Sequence, residues 1–112
     1  MLNLPIDYIE FATPALAESE AFFAKACGWT FTAFGPDYRD IGNAGTGGGL
    51  ERGTIRPPLV VLKATDLQAA FAQVQAAGGV ITKDIFDFPG GRRFEFTEPG
   101  GNQLAVWAEA AE

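Results

Sequence analysis

Two residues two positions apart, Tyr8 and Glu10, carry the first chemistry this chain suggests. A phenol and a carboxylate on one strand face could act as acid and base, provided the carboxylate is buried. Other reactive types are sparse. The chain has no histidine. Serine–histidine and cysteine–histidine nucleophiles are therefore excluded. A transition-metal site would have to be built from carboxylates, amides, tyrosine or the one thiol. That thiol, Cys27, stands at the end of a helical run, where the dipole disfavours a thiolate, so it reads as a small buried residue. Arg92 and Arg93 could hold an anion, but they fit charges guarding a strand equally well. The run "GTGGGL" lacks the Lys-Ser/Thr of a phosphate loop and reads as a turn or bulge.

Composition narrows the partners. Eight Lys and Arg stand against 14 Asp and Glu, a formal charge of −6, which argues against a nucleic-acid face. The charge suits a cationic ligand, and it suits an ordinary solvated acidic surface. No apolar run is long enough to span a bilayer, and no secretory signal pattern is visible. A single cysteine cannot form an intramolecular disulfide, so a reducing compartment, the cytoplasm, is expected. The 112 residues are expected to form one domain, 1–112.

The elements that must position these residues occur twice. "IDYIEFA" alternates as a strand, Thr13-Pro14 opens a helix with Thr13 as its cap, and Gly28 closes it. "WTFTAF" and "DYRDIGN" follow as strands, and "GTGGGLERG" is either a loop or a further strand. Phe22, Phe23 and Trp29 read as helix-to-sheet packing. "IRPPL" is a linker, since its two prolines exclude helix and central strand. The pattern then restarts. "LVVLKA" is a strand, and "DLQAAFAQVQAAG" is a helix capped by Asp66 or Thr65. Its apolar residues Leu67, Ala70, Phe71 and Val74 have helical spacing. "VITKDIF", "RRFEFTE" and "NQLAVWA" are strands. At one constant offset Ile9 matches Val60, Leu16 matches Leu67 and Gly28 matches Gly79. Each half reads β-α-β-β-β, in modules of about 1–54 and 58–112.

This order of motifs resembles the glyoxalase/bleomycin-resistance/dioxygenase (vicinal oxygen chelate) superfamily. The segments that carry the resemblance are "FFAKACGWTF", "TDLQAAFAQVQAAGG" and "TEPGGNQLAVW", with "EPGGN" similar to the family's Asp-Pro-x-Gly-Asn turn. The resemblance implies an α+β fold of two βαβββ modules forming cupped mixed sheets around a ligand cavity, usually in a homodimer. It also places the family's metal ligands. One falls seven residues before the helix start, at Tyr8, and its counterpart before Asp66 is Leu59. A third lies three residues after Asn102, at Ala105, and the fourth falls near Glu51. Tyr, Leu and Ala at three of these positions imply a protein without the usual metal and without a cofactor.

Strand alternation extends the map to a cavity lining of Tyr8, Glu10, Leu59, Val61, Gln103 and Trp107. The same residues could instead be core, and for Leu59 and Val61 core is the commoner fate. Three functional classes follow. One is a metal-independent protein that binds a small, partly aromatic, neutral or cationic molecule, with Glu10 as anchor and Trp107 as aromatic face. Another is a divergent lyase, isomerase or dioxygenase-like enzyme with an atypical site. The third is an accessory module without ligand.

Overall fold

A computed structural model describes residues 1–110. The elements run β1 (Ile6–Thr13), α1 (Leu16–Cys27), β2 (Thr30–Ala33), β3 (Tyr38–Gly42), β4 (Gly47–Arg52), β5 (Leu59–Lys63), α2 (Leu67–Ala76), β6 (Val80–Phe88), β7 (Gly91–Thr97) and β8 (Gln103–Glu109). The β-α-β-β-β pattern is thus present twice. Among the described residues no helix is long and apolar enough to cross a membrane.

The chain forms two compact units. One is Tyr8–Leu59; the other joins Met1–Asp7 to the residues from Val60 onward. Both have the same topology. In the first the order is β2-β3-β4-β1, and in the second β6-β7-β8-β5. In each, the first strand pairs in parallel with the last, and the remaining pairs are antiparallel. Alternation gives each sheet one face toward its own helix. In the first unit that core holds Leu16, Ile41 and Leu50, with Phe11, Phe23, Trp29 and Phe31 packed on it. In the second it holds Leu67, Ala70, Val74, Phe94, Phe96 and Val106. Phe94 and Val106 have no exposed surface.

Local signals act as their chemistry dictates, with four corrections. Gly28 takes φ +72° at the end of α1, a left-handed turn that glycine adopts without penalty. The Asp66 side chain caps α2 by accepting from the Ala69 N–H at 3.0 Å. Thr13 does not cap α1. Its hydroxyl instead accepts from the Ala15 N–H at 3.0 Å and bonds Ser19 Oγ at 2.9 Å, bracing the turn before the helix. The glycine run is neither turn nor bulge: Gly47–Arg52 is the strand β4, held between β1 and β3. Cys27 is exposed, since it lies at the last position of a helix that buries only Leu16. Phe22 is also out in solvent, 62% exposed, while Phe23 stacks on Trp29 with ring centroids 4.9 Å apart. Arg92 and Arg93 are paired locally, with Asp87 at 3.1 Å and Glu95 at 2.9 Å.

Candidate functional site

In the unit Tyr8–Leu59, the sheet face turned away from α1 is polar. The register sets its rows. Glu10 stands beside Gly49, Gly49 beside Asp40, and Asp40 beside Thr32. Tyr8 is level with Gly47, and Tyr38 is level with Glu51. Alternation therefore puts Tyr8, Glu10, Tyr38, Asp40 and Glu51 on one surface.

All of these but Asp40 join one network with Arg56. The Tyr8 and Tyr38 hydroxyls bond each other. Tyr38 O–H donates to Glu10 Oε2 at 3.1 Å, so Tyr8 is the donor to Tyr38. Arg56, from the proline-flanked connector, donates through Nη2 to Glu10 Oε1 and through Nη1 to the Glu10 carbonyl, both at 3.1 Å. The same guanidinium lies 3.6 Å from Glu51 Oε1. Gly49 is the floor of this cluster. A β-carbon there would overlap both tyrosine hydroxyls, so the convergence of the phenols requires glycine at this point.

Glu10 is 3% exposed, and a carboxylate so placed needs partners; Arg56 and Tyr38 supply them. Burial pushes the Tyr38 phenol well above its ordinary value, and the negative charge of Glu10 pushes it further the same way. Tyr38 is therefore a hydrogen-bond donor at neutral pH and not a base. The linkage has a definite sign. A phenol whose folded value is raised contributes stability that is fully present below the unfolded value, about 10. That stability is lost as pH climbs above it. One of the two tyrosines is thus expected to resist ionisation until the chain unfolds in alkali. Phenolate absorbance followed alongside circular dichroism checks this; two tyrosines ionising normally in a folded chain would contradict it.

The other predicted lining residues lie on the β5/β8 surface. Val61 is level with Ala105, and Lys63 with Trp107. Leu59, Val61 and Ala105 are buried, with 5%, 2% and 0% exposure, while Gln103 is exposed. Their face is opposite to that of Leu62, Leu104 and Val106, which serve the α2 core. Trp107 is half-buried. Its indole N–H donates to Asp7 Oδ2 at 2.9 Å, Phe88 lies beside it, and Lys63 Nζ sits 5.0 Å from the ring centroid. The chain's own lysine, tied to Glu109 at 2.9 Å, already supplies a cation to this indole.

Tyr38, Arg56 and Asp40 are the residues at this candidate site that sequence reading missed. Alternation on β3 would have placed Tyr38 and Asp40 together, but nothing local ties that strand to Glu10. A shallow apolar depression elsewhere in this unit, lined by residues including Phe11, Trp29 and Ile41, lies on the helix side, away from the polar network.

No family model and no curated protein matches the chain. Solved structures do. Methylmalonyl-CoA epimerase from Mycobacterium tuberculosis superposes with a TM-score of 0.73 at 14% identity, covering 95% of this chain and 88% of that one. A glyoxalase/bleomycin resistance protein/dioxygenase superfamily member from Vibrio splendidus 12B01 gives 0.72 at 14% identity, covering 96% and 100%. The Mn(II)-bound glyoxalase from Novosphingobium aromaticivorans gives 0.69 at 21% identity, covering 95% of this chain and 39% of that one. The chain has the α+β glyoxalase/bleomycin-resistance fold; identities this low speak for the fold alone.

Proposed function

We propose that this protein binds a small, partly aromatic molecule without a resident transition metal, using the polar sheet face of the unit Tyr8–Leu59. The observation that carries this reading is the network of Tyr8, Tyr38, Glu10 and Arg56 over Gly49. Two phenols and a neutralised carboxylate make a surface suited to stacking and hydrogen bonding. Glu10 is engaged by Arg56 and Tyr38, so its role is to hold those groups in place. Base catalysis by Glu10 would first have to break these contacts. On their own face, Trp107, Gln103, Leu59 and Val61 are proposed as further ligand contacts.

The donor chemistry supports a metal-free reading. Leu59 and Ala105 have no side-chain donor atom, the Tyr8 hydroxyl is bonded to Tyr38, and Glu51 lies beside Arg56. Among the described residues no three His, Cys, Asp or Glu side chains come together as a metal site. We further propose a homodimer in the cytoplasm, a compartment that suits an exposed single thiol.

A screen of small aromatic molecules by protein NMR tests the binding reading. Ligands should move resonances of Tyr8, Tyr38 and Gly49, and Tyr38→Phe should weaken them by about 1 kcal/mol, a neutral hydrogen bond's worth. A screen in which every aromatic leaves these resonances still would end the proposal. Elemental analysis of protein purified without chelator should find no stoichiometric Zn, Ni, Mn or Fe. Light scattering should give twice the 11.9 kDa chain mass, and a monomer at every concentration would refute the dimer.

A further inference from the structure

On the polar face of the unit Tyr8–Leu59 there are three carboxylates, and their situations differ. Glu10 is held by Arg56 at 3.1 Å and by the Tyr38 hydroxyl. Glu51 lies 3.6 Å from the same guanidinium. Asp40 has neither: no described residue donates a hydrogen bond to its carboxylate or pairs with it. The arginine next to it on β3, Arg39, belongs to the opposite face and is bound to Glu20 at 2.8 Å. Asp40 is nonetheless half-buried. Its cross-strand neighbours are Thr32 on one side and Gly49 on the other, and the two tyrosine hydroxyls lie over Gly49. Neighbours in such a row stand about 5 Å apart, within reach of one small ligand.

Asp40 is met by no donor among the described residues and keeps its carboxylate open to a ligand's donor, and partial burial raises its value. Every other charged group on this face has its partner within the protein. We propose that Asp40 is the ligand's ionic anchor and that the ligand carries a protonated amine beside its aromatic portion. The ammonium group would donate to Asp40, while the electron-rich Tyr8 and Tyr38 rings accept its remaining positive field. This rests on the binding function proposed above and gives the anchoring role expected of Glu10 from the sequence to Asp40.

Benzylammonium, benzyl alcohol and phenylacetate serve as three matched probes against the full chain, followed by two-dimensional amide NMR. Benzylammonium is expected to shift Thr32, Asp40 and Gly49 and to bind better than the alcohol, with phenylacetate weakest. Asp40→Asn keeps the side-chain shape and should weaken benzylammonium about tenfold, while leaving benzyl alcohol unchanged. Asp40→Thr, a good strand residue, should give the same loss and guards against misfolding of the first variant. If the probes shift this face but Asp40→Asn binds benzylammonium as well as the unaltered chain, the anchor is wrong and the binding function stands. If none of the three shifts any residue of this face, the binding function fails and this inference falls with it.

Discussion

Glu10→Ala is expected to lower the free energy of unfolding by about 3 kcal/mol. Removing one partner of a buried ion pair costs about 3–5 kcal/mol, because the other charge is left uncompensated. The Arg56 side chain is 29% exposed, so its guanidinium regains some water, which holds the loss to the lower end. The Tyr38 hydroxyl also loses its acceptor, and the Arg56 bond to the Glu10 carbonyl loses its companion. Arg56→Leu alone should cost at least as much as Glu10→Ala, since it strands the more deeply buried charge with only the Tyr38 hydroxyl as partner. The double variant Glu10→Leu with Arg56→Leu should recover part of the loss, as removing both charges leaves none stranded. Urea unfolding of the four proteins measures all of this. A Glu10→Ala cost below about 1 kcal/mol would place the pair among ordinary surface ion pairs and remove it from the organisation of this face.

Tyr8 and Glu10 could be found from the sequence because both rules that locate them are local. A strand alternates with period two, and the start of a helix is marked by its flanking residues. The same holds for α2, where Leu67, Ala70 and Val74 are buried at helical spacing behind an Asp66 cap. Strand β4 was legible only in part: the repeat called for a strand there, while its glycines read as a loop or turn. Glycine has little tendency to form strands, and "GGG" reads as a turn. Its strand state comes from two neighbours, β1 in parallel and β3 antiparallel, and from side chains above it that need the room. Arg56 was hidden for a related reason. It lies in a connector that only announces its prolines, 46 residues from Glu10. Cys27 shows the limit from the other direction: free cysteine is usually buried, but its place at the end of α1 decided otherwise. Local rules reached the side chains attached to periodic elements, and they missed partners recruited by register or by a connector.

Gly49→Ala is expected to destabilise the protein by about 2 kcal/mol, although the intrinsic effect of the change is of opposite sign. Where backbone angles allow it, alanine for glycine stabilises by about 0.4–1 kcal/mol, because the unfolded chain loses freedom. Gly49 is not among the residues with positive φ, so its backbone would accept alanine. The obstacle is above it. The added methyl would overlap the hydroxyls of Tyr8 and Tyr38 and come within 2.7 Å of Tyr38 Cζ. A tyrosine ring cannot yield at its tip alone; the whole ring has to tilt, which breaks the Tyr8–Tyr38 bond and draws Tyr38 off Glu10. Gly48→Ala is the control one residue away on the other face. There the nearest atoms are Ile41 Cβ at 3.3 Å and Ile41 Cδ1 and Ile9 O at 3.4 Å, a tight fit that small shifts relieve. Its cost should stay under about 1 kcal/mol. The stability difference between the two alanine variants, measured in urea, therefore reports the phenol pair specifically. Gly49→Ala should also abolish the benzylammonium response, since the rings that would receive the ammonium have moved. An alanine at position 49 that matches or raises the parent's stability would mean the two hydroxyls do not meet over this residue, and the polar face would lose the arrangement on which binding is proposed.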